Sequence, residues 1–129
     1  MDRQGVLEEL RELRESVPGV TGMLVAAANG RLVVADMGAE VDANGLAAAA
    51  AVNLEVARRI AAVTRQGTLG QAVVHGRRGH VAVYAIADSA LLAVVGDEGL
   101  DVPALHRRSR PAVARINALV VTGDSGPAH

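Results

Sequence analysis

Apolar and polar positions along this chain alternate between helical and extended spacing in eight successive blocks. Val6, Leu7, Leu10, Leu13 and Val17 recur on one narrow helical stripe, with Glu8, Glu9, Arg11, Glu12 and Glu15 on the opposite side. That spacing predicts a helix over residues 3–17, stopped by Pro18-Gly19. Residues 20–28, almost continuously apolar from Met23 to Ala28, predict a first strand, and Asn29-Gly30 is a strong hairpin signal leading back into a second strand over 31–36. A polar loop at 38–41 precedes a long helix over 42–66, with Asp42 as its cap and Gly67 as the left-handed residue that closes it. Three strands follow, over 68–75, 80–87 and 90–96, joined by Gly76-Arg77-Arg78-Gly79 and by Asp88-Ser89. The last helix opens at Asp101-Val102-Pro103 and carries Leu105, Ala112, Val113, Ile116, Leu119 and Val120 on one face, with Pro111 on the other.

The first and fifth strands have no polar face, so both are expected at the centre of a sheet covered on both sides. The first and last helices carry single stripes and can share one sheet face, which leaves the other to the central helix. The expectation is an α/β (α+β) sandwich of order α-β-β-α-β-β-β-α, with residues 1–121 forming one domain and 122–129 a disordered tail.

The central helix differs from the other two. At 100° per residue, its apolar positions sweep an arc of roughly 200°, about twice what a helix lying on one core needs. Val52, Val56, Ala49, Ile60, Asn53, Leu46, Ala57, Ala50, Ala61 and Leu54 all fall in that arc, whereas Glu55, Arg58 and Arg59 gather in a polar sector. Leu46, Ala49, Ala50, Asn53, Leu54, Ala57, Ile60 and Ala61 are the candidates for a seam. One part of the arc can cover the sheet; the other requires a second partner. Small alanines would let another backbone approach, and Asn53 at such a seam could fix its register, as a buried asparagine does in coiled coils.

Composition narrows the chemistry. The chain has no cysteine, which excludes a thiol nucleophile, a disulfide scaffold and any Cys-based zinc site. Tyr84 is the only aromatic residue, so base-stacking platforms and aromatic cages cannot be built. A net charge of −1 argues against nucleic acid as the main partner. No apolar run approaches the ~18 residues of a membrane span, and Met1-Asp2-Arg3-Gln4 lacks a secretory pattern, so a cytoplasmic protein is expected. His75 and His80 flank a turn and could face each other, but no third ligand stands nearby, so no metal site is expected. No serine lies in a nucleophile elbow, no phosphate loop or dinucleotide fingerprint occurs, and Glu8 with Glu12 forms an ordinary solvated face. No catalytic residue or cofactor is therefore assigned. Arg107, Arg108, Arg110 and Arg115 cluster on the last helix, either solvated or as an anion or partner docking patch.

With the elements in order, the chain resembles the roadblock/dynein light chain family over roughly residues 5–120. The phrases that carry the resemblance are Val17-Pro18-Gly19-Val20 with Gly22-Met23-Leu24-Val25, then Asn29-Gly30-Arg31-Leu32 and Leu46-Ala47-Ala48-Ala49-Ala50. Gly67-Thr68-Leu69-Gly70-Gln71-Ala72-Val73-Val74 and Ala90-Leu91-Leu92-Ala93-Val94-Val95 complete it. The resemblance implies a five-stranded sheet ordered 2-1-5-4-3. It also implies a homodimer joined through paired second helices and antiparallel third strands, which would bring Leu69, Gln71 and Val73 to the seam beside the arc residues. Family members bind small Ras-like GTPases or serve as adaptors, and share no catalytic residue. The function expected is thus a non-enzymatic homodimer that binds a bacterial Ras-like GTPase, with Glu55, Arg58 and Arg59 as candidate contacts. A small-molecule or signal-sensing module of the same architecture is the alternative.

Overall fold

A computed structural model describes residues 1–68 and 70–125, the side chains of 121–125 excepted. The elements run α1 (Arg3–Ser16), β1 (Val20–Ala27), β2 (Leu32–Asp36), α2 (Ala43–Val63), β3 (Gln71–Gly76), β4 (Gly79–Ile86), β5 (Ala90–Asp97) and α3 (Val102–Ser125). All neighbouring strands pair antiparallel, in the order β2-β1-β5-β4-β3. Both the element order and the strand order match the expectation.

Side-chain alternation along the strands builds two layers. Met23, Val25, Ala82, Tyr84, Ile86, Leu92 and Val94 face α1 and α3, where they meet Val6, Leu10, Leu13, Leu105, Ala112 and Ile116. Leu24, Ala26, Val83, Leu91 and Ala93 face α2 and meet Ala47, Ala50 and Leu54. β1 and β5 therefore bury both faces, as their lack of polar positions required.

Local signals explain the element ends. Asp42 accepts from the Gly45 N–H at 3.0 Å and Asp101 from the Ala104 N–H at 3.0 Å, so each carboxylate satisfies a free amide at a helix start. Gly30 takes φ 89° in the β1–β2 hairpin, where the Asn29 side chain accepts from the Arg31 N–H at 3.0 Å.

The close of α2 differs from expectation. The helix ends at Val63, before Gly67, and Arg65 takes the left-handed conformation at φ 57°. The Gln66 N–H donates to the Ala61 carbonyl at 2.8 Å and the Arg65 N–H to the Ala62 carbonyl at 3.1 Å, the paired bonds of a Schellman closure. The Thr64 hydroxyl donates to the Ile60 carbonyl at 2.7 Å, which adds a local reason to stop early. At the other end of the chain, α3 runs to Ser125, beyond the boundary expected at residue 121; residues 126–129 lie outside the described residues. Pro111 sits on the exposed side of α3, where the Arg107 carbonyl that loses its helical partner can meet water. Among the described residues no helix is long and apolar enough to cross a membrane.

Candidate functional site: the outer face of α2 and the edge of β3

α2 lies on the sheet through Ala47, Ala50, Leu54 and Ala61, all buried. Opposite them at 100° per residue stand Val52, Val56, Ile60 and Val63, at positions i, i+4, i+8 and i+11. These four are 63%, 51%, 60% and 79% exposed, and they are, with Val74, the large exposed hydrophobics among the described residues. Scattered apolar surface residues are ordinary, but four in a row along one helix face form a stripe that the chain itself leaves uncovered. Burying one such side chain is worth roughly 1.5–3 kcal/mol, so leaving four in water forgoes several kcal/mol.

The stripe continues sideways into a groove between α2 and the β3–β4 hairpin. Leu46, Ala49, Ala50, Asn53, Val74, Val81 and Val83 line this hollow of about 310 Å³. Asn53 is half-buried, and its carbonyl oxygen is covered yet has no hydrogen-bond partner among the described residues. β3 forms the rim. Among the described residues it pairs only with β4, which leaves its outer edge without a strand partner, and Gln71-Ala72-Val73-Val74-His75-Gly76 carries no Asp, Glu, Lys or Arg to discourage pairing.

This geometry redistributes the residues expected at the seam. Ala49 and Ile60 are exposed, and Leu46, Asn53 and Ala57 are half-buried on the flank nearest β3. Ala50 and Leu54 are buried against the chain's own sheet layer, although Ala50 also lines the groove, and Ala61 is buried as well. On β3, Val73 packs toward the α1/α3 layer, and Gln71 pairs with Tyr84, which faces that same layer. Val74 pairs with Val81 and so looks toward α2, 49% exposed. The alternation of strand side chains thus gives the α2 side Val74 instead of Val73. Leu69 lies outside the described residues. Val52, Val56 and Val63 were absent from the expected seam, because the spacing of apolar positions did not say which edge of the arc faces outward.

Of the three polar candidates, Glu55 and Arg59 are exposed beside the stripe. Arg58 leans the other way, its Nη2 donating to the Ala87 carbonyl at 3.5 Å. On α3, Arg115 pairs with Glu9 of α1 at 2.7 Å, so one member of the arginine cluster is already held within the chain.

Two imidazole contacts complete the polar inventory. His75 and His80 are directly paired across the β3–β4 hairpin, with their Nδ1 atoms 2.7 Å apart. Among the described residues no group of three or more metal-ligating side chains assembles. Tyr84 and His106 meet between β4 and α3.

Comparison with known proteins agrees with this architecture. A Roadblock/LC7 domain from Streptomyces avermitilis superposes with a TM-score of 0.82 at 19% identity, covering 89% of this chain and 97% of that one. Myxococcus xanthus MglB gives 0.84 at 13% identity, covering 95% and 99%. The gliding protein MglB of Thermus thermophilus gives 0.79 at 18% identity, covering 90% and 88%. No curated protein matches by sequence. The family model for the Roadblock/LC7 domain matches residues 6–96, and the chain belongs to that family.

Proposed function

We propose that this protein is a non-enzymatic homodimer that serves as a docking platform for a Ras-like small GTPase. The observation that carries the reading is the stripe Val52, Val56, Ile60 and Val63, contiguous with the free edge of β3. A two-fold contact presents the same patch twice, so it must be self-complementary. Here the ridge of Ile60 and Val63 on the C-terminal half of α2 can enter the groove of Leu46, Asn53 and Val74 on a second copy, and the reverse. The covered carbonyl of Asn53 then gains access to a donor from the partner chain. An MglB protein, similar at 18% identity, has been solved in a tetrameric arrangement, which supports self-association as a habit of this fold.

The GTPase part rests on the family likeness and on Glu55 and Arg59, exposed beside the apolar stripe. Charges at such a rim steer a partner and select it more than they bind it. Any stimulation of nucleotide hydrolysis would act by repositioning the GTPase's own groups, as the family likeness implies.

The test has two stages. Light scattering on the purified protein should give twice the chain mass, and a concentration-independent monomer would end the dimer reading. The dimer should then form a complex with a Ras-like GTPase encoded near its gene, weakened by Arg59→Glu. Failure to bind any such GTPase would remove the partner while leaving the dimer intact.

A further inference from the structure

We infer that the open end of the α1/α3 layer is a binding site for a small amphipathic carboxylate. A cavity of about 450 Å³ lies there, between the start of α1, the far part of α3 and the ends of β1, β2 and β5. That volume falls within the range of small-molecule pockets. It stands on the opposite side of the sheet from the α2 surface, so the inference is independent of the proposed dimer and its partner.

The sequence creates this space in three ways. The β1–β2 register shifts between Val25 and Ala26, so β2 carries one extra residue and Val33 and Val34 both turn toward the α1/α3 layer. Val33 thereby becomes part of the floor, beside the buried Val25 and below Val120 of α3. Ala27 and Ala90 pair directly across β1 and β5 and are too small to fill what remains.

The rim is cationic. Arg3 and Arg31 both line the cavity and are exposed, and neither forms an ion pair among the described residues, whose salt bridges are Arg14–Asp36 and Arg115–Glu9. The adjoining carboxylate, Asp2, accepts from the Gly5 N–H at 2.9 Å as the cap of α1. An apolar floor under two unpaired guanidinium groups selects a ligand with an aliphatic body and an anionic head. The planar guanidinium fork fits a carboxylate particularly well. Acetate would meet the rim and leave the floor wet, whereas decanol would cover the floor and leave both arginines without an anion.

Decanoate is a suitable probe, titrated into the full-length protein while backbone and methyl NMR signals are followed. The expected result is saturable shifts centred on Val25, Val33 and Val120, with acetate and decanol each at least tenfold weaker. Arg3→Ala and Arg31→Ala should each weaken decanoate about tenfold, the worth of one charge-assisted contact. Ala27→Leu should fill the cavity and abolish binding while the remaining spectrum stays folded; should it not fold, the two arginine variants still decide the matter. Shifts centred on Val52, Val56, Ile60 and Val63 would mean detergent-like coating of α2 and would overturn the inference. So would the absence of saturation, equal binding of decanol, or indifference to both arginine substitutions.

Discussion

The hydroxyl of Tyr84 lies 2.7 Å from Nδ1 of His106, joining the middle of β4 to the first turns of α3. Burial raises the phenol above its usual pKa, and burial together with the nearby Arg110 charge lowers the imidazole below its own. Both shifts favour the uncharged pair, in which the phenol donates to a neutral ring. The consequence for stability has a definite sign. Between the lowered pKa of folded His106 and the ordinary value of 6.5, the unfolded chain binds more protons than the folded one. Stability from this site is therefore complete above pH 6.5 and declines as pH falls through that window. Urea denaturation at pH 7.5 and 5.5 should show the loss in wild type and a smaller one in His106→Gln. Tyr84→Phe should cost about 0.5–1.5 kcal/mol at pH 7.5.

Ile60→Arg places a charge in the middle of the exposed stripe of α2. Ile60 is 60% exposed in the single chain, so the substitution should leave the fold intact while stranding an unpaired charge in any seam formed there. The expected outcome is a folded monomer by light scattering with an unchanged circular dichroism spectrum. This position is a cleaner probe than Ala57, which is half-buried within its own chain.

Asn53→Leu tests the role of the covered carbonyl. A polar residue at a helix seam limits the alternatives at a cost in affinity. The variant should associate more tightly than wild type and populate additional oligomers, resolved by sedimentation velocity.

Arg65→Gly should stabilise the protein. Arg65 holds φ 57°, where a side chain costs roughly 1–2 kcal/mol, and glycine sheds that strain but loses some of the gain to its own freedom when unfolded. A net gain of about 0.5–1 kcal/mol is expected. A thermal melt rising by a few degrees would record it.

Gly19→Ala should do the opposite. Gly19 follows α1 at φ 93°, and a Cβ there would stand 2.6 Å from the Leu100 Cα. Left-handed strain and a backbone collision combine to about 2–4 kcal/mol of destabilisation. Chemical denaturation with an unchanged m-value would separate this from a change in the unfolded state.

Much of this architecture was legible from one-dimensional pattern. Asn29-Gly30, Asp42 and Asp101 act through neighbours within a few residues, so their turn and cap chemistry needs no tertiary partner. The unbroken apolar runs of β1 and β5 placed them at the sheet centre, because a strand with no polar face must be covered twice.

The direction of α2 was a different matter. An arc of roughly 200° has no unique inward side, so periodicity could not tell Leu54 from Ile60. Contact with Leu24, Val83 and Leu91 turned Leu54 inward and left Val52, Val56, Ile60 and Val63 facing out. The same holds for the cavity under Arg3 and Arg31, which exists because a bulge in β2 and the ends of two distant helices meet at one place. Spacing along a chain records which residues repeat together; only packing between elements fixes which of them meet a neighbour and which meet water.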